Sequence, residues 1–305
     1  MRSLLPRVGC IALAALLAAC PDDLEKQSEV VKLRVLAVQA EPAELIIDLS
    51  KNAFPQTTLT ALAVEPSGAP VAMEYALCTV QQQVPPPDVD CPGTQGIPLA
   101  SAGSTAAVLD LGDPRVSALA LQLMQDGGIP DGGTASDSFP VLVGFSATAP
   151  AHTLSDGGPP GANGGDLQVF RGLTTVAARA PGAPPNQNPA IAALLMGGVE
   201  IAADGTTAAP TRTTQRLTPA PAPGSKEVAD GGVEALGYSF FATAGSISAL
   251  RSTDTTATGQ SSDTSSDWTT PDAAQPVRLW VVVRDGRGGV GWIERTVQVT
   301  PPAAR

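Results

Sequence analysis

Short apolar stretches that alternate every second residue, each cut off by proline or glycine, constrain this chain more than any other feature. Val31, Leu33, Val35 and Ala37 alternate with Lys32 and Arg34, and Val71, Met73, Tyr75 and Leu77 alternate with Ala72 and Glu74. A period of two places one set of side chains on one face of a strand and the other set on the opposite face. Further strands are expected at Thr57 to Glu65, Ala106 to Leu111, Ser117 to Met124, Val141 to Thr148 and Leu167 to Ala178. A second series is expected at Ile191 to Ile201, Thr211 to Leu217, Leu236 to Thr243, Ser246 to Arg251, Val277 to Arg284 and Val290 to Val299. Between them stand Asp-Gly-Gly and proline-rich clusters, which supply positive φ and turn-forming side chains. Glycine (31) and proline (29) make up about a fifth of the 305 residues, so turns are plentiful, while 43% hydrophobic residues suffice for a core. Two series of six or seven short strands predict an all-β chain of two β-sandwiches.

The stretch APGAPPNQNP, Ala180 to Pro189, separates the two series. Proline there blocks both a helix and a central strand and favours an extended spacer. A weak internal repeat agrees with the division. Pro140-Val141 opens VLVGFSA and Pro276-Val277 opens VRLWVVV, and each is followed by a glycine-rich turn and a last strand. The expected organisation is a leader over 1–19, a tether over 20–29, a sandwich over 30–180, a linker over 181–189 and a sandwich over 190–300. Residues 252–270, rich in Ser, Thr and Asp, read as a polar insertion too hydrophilic to bury.

The N-terminus carries Arg2 and Arg7 and then an apolar run from Val8 to Ala19, the charged and hydrophobic regions of an export signal. The run is shorter than the roughly 20 residues needed to span a bilayer. It ends in Leu17-Ala18-Ala19-Cys20, which resembles the lipobox of bacterial lipoproteins. That resemblance implies that Cys20 is acylated and becomes the first mature residue. It further implies a protein of the cell envelope, lipid-anchored to a membrane, the outer membrane being favoured, and facing the periplasm or the cell surface. Removal of the leader leaves 16 cations against 29 anions, which disfavours adhesion to an anionic leaflet by charge alone.

Export bears on the cysteines. Cys10 is lost with the leader and Cys20 is taken by lipid, leaving Cys78 and Cys91 as an expected disulfide in an oxidising compartment. Closing a loop of about 14 residues contributes roughly 3 kcal/mol in the chain-entropy view.

The same residues exclude several function classes. A net charge of −11, with 18 scattered cations, provides no basic stripe for nucleic acid, and 4% aromatic residues leave few stacking platforms. His152 is the only histidine, so metal sites and triads built on several imidazoles lack their parts. It stands in a Pro/Gly-bounded loop. No G-x-S-x-G occurs. The Asp-Gly-Gly copies at Asp126, Asp131, Asp156 and Asp230 lack the alternating ligands of a calcium loop, and no carboxylate pair is singled out by its spacing. Gly286, Gly288 and Gly291 match G-x-G-x-x-G, but β-favouring residues follow where a phosphate-binding helix should start. They are expected to turn a hairpin. No catalytic residue, metal or cofactor is assigned.

The closing segment VVVRDGRGGVGWIERTVQV, Val281 to Val299, resembles the last hairpin of immunoglobulin-like and PKD-like extracellular domains. The layout as a whole is similar to two-domain lipoproteins of Gram-negative bacteria. Cys78 and Cys91 are too close in sequence to be the bridge between two immunoglobulin sheets, and no Trp stands between them. The resemblance implies display, spacing or binding through a protein or glycan partner rather than catalysis. For glycan, Trp268 is the candidate contact because it lies in the polar insertion, whereas Trp280 and Trp292 are expected to pack across the last hairpin.

Overall fold

The structure, a computed structural model, describes residues 27–51, 54–78, 96–118, 139–150, 167–182, 184–229, 232–255 and 259–302. Cys20, the expected acylation site, together with Cys91, His152 and the four Asp-Gly-Gly aspartates, lies outside the described residues.

Two β-sandwiches follow one another. In the first, one sheet orders β1 (Arg34–Glu41), β3 (Gln56–Val64), β7 (Ala106–Asp110) and β6 (Ala100–Ser101). The other orders β2 (Glu44–Ile46), β9 (Leu167–Arg179), β8 (Phe139–Pro150), β4 (Ala72–Leu77) and β5 (Ile97–Pro98). In the second, one sheet orders β11 (Val199–Glu200), β10 (Ile191–Met196), β13 (Thr214–Pro221), β19 (Ser266–Thr269) and β17 (Ser246–Ile247). Its partner orders β12 (Ala208–Pro210), β21 (Val290–Thr300), β20 (Pro276–Arg284), β16 (Gly237–Ala242) and β18 (Arg251–Thr253). A small ribbon pairs β14 (Val228–Ala229) with β15 (Gly232–Val233).

The two sandwiches repeat one topology. β1-β3-β7-β6 corresponds to β10-β13-β19-β17, and β2-β9-β8-β4-β5 to β12-β21-β20-β16-β18. In each, a three-residue strand pairs in parallel with the end of the last strand, Glu44 to Ile46 with Ala177 to Arg179 and Ala208 to Pro210 with Gln298 to Thr300. All other strand pairs within the sheets are antiparallel. These are immunoglobulin-like sandwiches.

Alternation builds each core. Val141, Val143, Phe145, Ala147 and Ala149 of β8 face Leu45, Leu59, Leu77 and Leu109 inside the first sandwich. Val277, Leu279, Val281 and Val283 of β20 face Leu194, Leu217, Phe240 and Trp268 inside the second. The run Leu279 to Val283 is apolar on both faces because its other face is buried too. Trp280 and Val282 join Leu36, Ala37, Leu62 and Val64 of the first sandwich in a third cluster, with Trp292 and Phe241 at its margin. A β-bulge between Val35 and Ala37 lets β1 serve both clusters, since an extra residue shifts which side chains point to which side.

Two local expectations are corrected. Ser117 and Ala118, expected to begin a strand over Ser117 to Met124, belong to a helical turn over 114–118, and the rest of that expected strand lies outside the described residues. Asp113 accepts from the Arg115 N–H at 2.9 Å and Pro114 takes the first helical position, a start signal that outweighs the apolar pattern. The insertion over 252–270 contains β18 residues and the whole of β19. Its hydroxyls make burial affordable, because Ser266 donates to Ala249 O at 2.8 Å and Thr270 to Pro210 O at 2.7 Å, so few polar groups are left unsatisfied.

Candidate functional site

Of the residues singled out in the sequence, Trp268 is placed where it cannot serve. It is fully buried in the second core, and its indole N–H donates to Ala244 O at 3.0 Å. Its assignment as a glycan contact is therefore corrected: no ring face is presented to solvent. The polar neighbours that suggested exposure are satisfied by one another, and the register Gln215↔Trp268 carries the indole inward. Trp280 and Trp292 share a face of the last hairpin as expected, opposite Glu294 and Val282 respectively. That face turns toward the first sandwich rather than outward. Cys78 is buried, and Cys91, its expected partner, lies outside the described residues.

The glycine-rich motif serves the joint between the sandwiches. Gly286 and Gly288 adopt positive φ (80° and 107°) and turn the hairpin, as the sequence predicts. Gly291 is required by a neighbour, since a Cβ there would collide with Pro189 O. A Cβ on Gly289 would meet Asp285 and Gln187 O. Asp285, buried in the turn, accepts from Arg287 N–H at 2.7 Å and Gly289 N–H at 2.9 Å through Oδ1, and from Asn186 Nδ2 at 2.9 Å through Oδ2.

The linker is thus a clamp rather than a free spacer. Asn186 N–H donates to Glu44 Oε2 at 3.0 Å, and Glu44 is ion-paired with Arg179 at 2.9 Å with both side chains largely buried. Asn188 donates to Ala40 O at 2.7 Å and accepts from Val290 N–H at 2.9 Å. Across the joint Arg284 donates to Leu36 O at 3.0 Å and Gln39 to Val290 O at 2.6 Å. Arg278, stacked over Trp280 at 4.8 Å and ion-paired with Glu294, reaches Glu65 O. Upstream of β1, the chain exchanges Val30 N–H to Ala242 O and Ala242 N–H to Ser28 O. Backbone, apolar cluster and side-chain bonds all tie one sandwich to the other.

The open feature lies beside this joint. β2 pairs only with residues 177–179 of β9. Ile47 N–H donates to Arg179 O at 2.9 Å, so the odd residues of β9 direct their main-chain groups to that edge, and the register with β8 runs without a shift back to Leu167. Leu167, Val169, Arg171, Leu173 and Thr175 therefore present five N–H and five C=O groups to an edge on which no partner occurs among the described residues. Between this edge and β1 run two recesses of about 400 and 700 Å³ that share Val35 and Leu36. Phe145 and Thr174 line the first recess and Phe170 the second, and all three belong to the inward face of the sandwich. Leu167, Val169 and Leu173 are 64%, 55% and 43% exposed. In the second sandwich the matching edge of β21 is covered: Asn188 and Pro189 lie over Val290 and Gly291, and Arg295 donates to Ile201 O at 2.9 Å. The sequence offered no sign of the open edge beyond the length of Leu167 to Ala178 relative to its neighbours.

Elsewhere, among the described residues no group of three or more His, Cys, Asp or Glu is gathered as a metal site, and no helix is long and apolar enough to cross a membrane. Asp254 accepts from Leu236 N–H at 2.9 Å and Thr255 at 2.8 Å and pairs with Lys226 at 2.5 Å. Burial works to raise its pKa, but these partners together hold it below the ordinary range. Burial, and the nearby Asp254 charge, push the Tyr238 phenol up to about 12. These groups fasten the β18 region to β16.

The order of strands defines the class: a tandem immunoglobulin-like sandwich protein. No protein-family model matches the chain, and no curated protein matches it. Among solved structures it is similar to fibronectin(III)-like modules of Clostridium thermocellum CbhA, at 9% identity over 87% of this chain and 95% of that one, with a TM-score of 0.23. It is also similar to the Yersinia pseudotuberculosis adhesin InvE (12% identity, 86% and 58% covered, TM-score 0.22). A third likeness is to Sidekick-1 immunoglobulin domains 1-4 (8% identity, 90% and 51% covered, TM-score 0.22). The chain spans little more than half the length of the last two.

Proposed function

We propose that this chain is a lipid-anchored protein of the bacterial cell envelope whose two coupled sandwiches hold a macromolecular partner without catalysing a reaction. Cys20 carries the lipid in this reading, residues 20–29 form the tether, and the outer membrane is the favoured site of attachment. The sandwiches face the periplasm or the cell surface. Multiple acyl chains give durable attachment, because each buried CH₂ contributes about 0.8 kcal/mol. Cys78 and Cys91 are proposed to pair, stapling the loop between β4 and β5 in an oxidising compartment.

The observation that carries the interaction role is the joint. Asn186, Asn188 and the cluster around Trp280 hold the two sandwiches as one body, and beside that joint an edge of the first sandwich, along β9, has no partner among the described residues. A rigid pair of sandwiches presents a surface of constant geometry, which lowers the ordering cost of binding. Binding to glycan by stacking on Trp268 is not retained, since the ring is buried.

The test is fractionation of cells expressing the chain or its Cys20→Ala variant, combined with protease treatment of intact and disrupted cells. Membrane retention of the parent and release of the variant are expected. Digestion on intact cells assigns the sandwiches to the surface; digestion only after disruption assigns them to the periplasm. Equal membrane retention of both forms overturns the lipid anchor.

A further inference from the structure

We infer that the outer face of the sheet formed by β9, β8 and β4 pairs with the same face of a second copy of this chain, about a two-fold axis that runs along β8 through Ser146. The inference rests on the reading of the chain as an interaction protein, and names one surface and the partner it takes.

Two observations converge on it. The first is the apolar character of the face. An antiparallel sheet that packs one face on a core normally turns polar side chains to water on the other. On β9 the odd positions face outward, and three of them, Leu167, Val169 and Leu173, are 64%, 55% and 43% exposed. The second is the placement of charge. From Leu167 to Thr175, and over the positions of β8 and β4 in register with them, the charged side chains on this face are Arg171 and Glu74. They share one row across the sheet, with Glu74 opposite Ser146 and Ser146 opposite Arg171. Two strand spacings, about 10 Å, separate them. Both are exposed, and neither side chain has an ion pair or hydrogen bond among the described residues. Together with Ser146 they line one recess of about 570 Å³. An unpaired acid and an unpaired base on either side of a central strand make a face complementary to itself.

The axis follows from those charges. Rotation about β8 exchanges the two flanking strands, so Arg171 of each copy lies over Glu74 of the other and every nearest neighbour in the group has the opposite sign. The same rotation lays Val169 over the second copy's Ala72, the larger side chain on the smaller. Toward Thr175 the face is taken up by Leu142, Ala76 and Cys78, which pack on one another, so the contact is centred toward Leu167. A two-fold axis across the strands through Ser146 would instead set Glu74 on Glu74 and Arg171 on Arg171, and like charges repel.

The test uses the full-length protein in density-matched detergent, with its mass read by sedimentation equilibrium over a range of concentrations. The parent is expected to form a dimer. Glu74→Arg surrounds Ser146 with arginine alone and Arg171→Glu with glutamate alone, so each single variant should dimerise at least about tenfold more weakly. An equimolar mixture of the two single variants should recover the dimer as a mixed pair, because every arginine then meets a glutamate. The double variant, with the two charges exchanged, should dimerise like the parent.

Recovery in the mixture also shows that both single variants are folded. If either fails to fold, Val169→Asp serves instead and should leave the chain monomeric where the parent is a dimer. A parent that stays monomeric at every concentration overturns the inference. So does a dimer that both single variants, or Val169→Asp, retain at parental strength, since its contact then lies on another surface. Two weakened single variants that do not pair with each other overturn it as well, because the axis along β8 requires that pairing. None of these outcomes bears on release of the Cys20→Ala protein, so failure here and failure of the envelope reading are separately visible.

Discussion

Asn186 donates its side-chain amide to Asp285 across the joint at 2.9 Å, and both residues are buried although 99 positions separate them. Asp285 accepts two further N–H groups of its own turn, so one carboxylate organises the last hairpin and receives the linker. The joint therefore depends on turn geometry as well as on apolar contact.

Asn186→Ala should destabilise the protein by about 1.5–3 kcal/mol, the range for a hydrogen bond to a charged group, because Asp285 stays buried with one partner fewer. Small-angle scattering should show an increased distance between the sandwiches, and denaturant unfolding should split into two transitions. An unchanged single transition at the same midpoint argues against the clamp.

Gly291→Ala should act at the same joint by a different route. A methyl group there meets the Pro189 carbonyl, so the linker must move, and overpacking of this kind costs about 1–3 kcal/mol. Gly286→Ala strains only an exposed positive φ, with nothing near its Cβ, and should cost about 1 kcal/mol without separating the sandwiches. Thermal melts of the two variants, with scattering as the second readout, distinguish the effects.

Trp268→Ala should cost about 3–5 kcal/mol, as expected for removal of a large buried aromatic. Trp268→Phe should be milder and report the lost hydrogen bond to Ala244 O. Tryptophan emission from position 268 should be blue and indifferent to added polysaccharide. A red, ligand-sensitive emission from this residue in the folded protein contradicts its placement.

Stability should fall at both ends of the pH scale for identifiable reasons. Asp254 has a lowered pKa in the folded state, so its contribution is present above the usual value of 3.8 and is lost as pH falls through its lowered folded value. Asp254→Asn should be less stable near neutrality and flatter on the acid side. Tyr238 is shifted the other way, from 10.0 to about 12, and burial raises Tyr75 as well. Their contributions are present below pH 10 and are lost as pH rises through the folded values, so Tyr238→Phe should weaken the alkaline dependence. Denaturant midpoints measured across pH test both limbs.

Much of the architecture is legible as pattern. Alternation in Val71 to Leu77 and Val141 to Thr148 marks strands β4 and β8 because a strand half buried against a core separates its faces residue by residue. The paired openings at Pro140 and Pro276 mark strands that occupy corresponding places in the two sandwiches. β19 is not legible. Ser266, Asp267 and Thr269 read as surface, and only hydroxyl pairing with Ala249, Ser248 and Thr214 lets Trp268 carry that strand inward. The open edge of β9 is equally silent, because it is defined by where β2 stops and not by any residue of β9 itself.

By itself, the sequence determined the class of secondary structure, the number of sandwiches and the places where the chain turns, since periodicity, proline and glycine act over a few residues. The tertiary structure alone decided which faces meet. Whether Trp280 looks outward or into a joint, whether the proline-rich segment is a spacer or a clamp, and which strand edge stays open all depend on contacts between residues far apart along the chain. Those contacts are selected by the burial of apolar area and the satisfaction of polar groups in the folded whole.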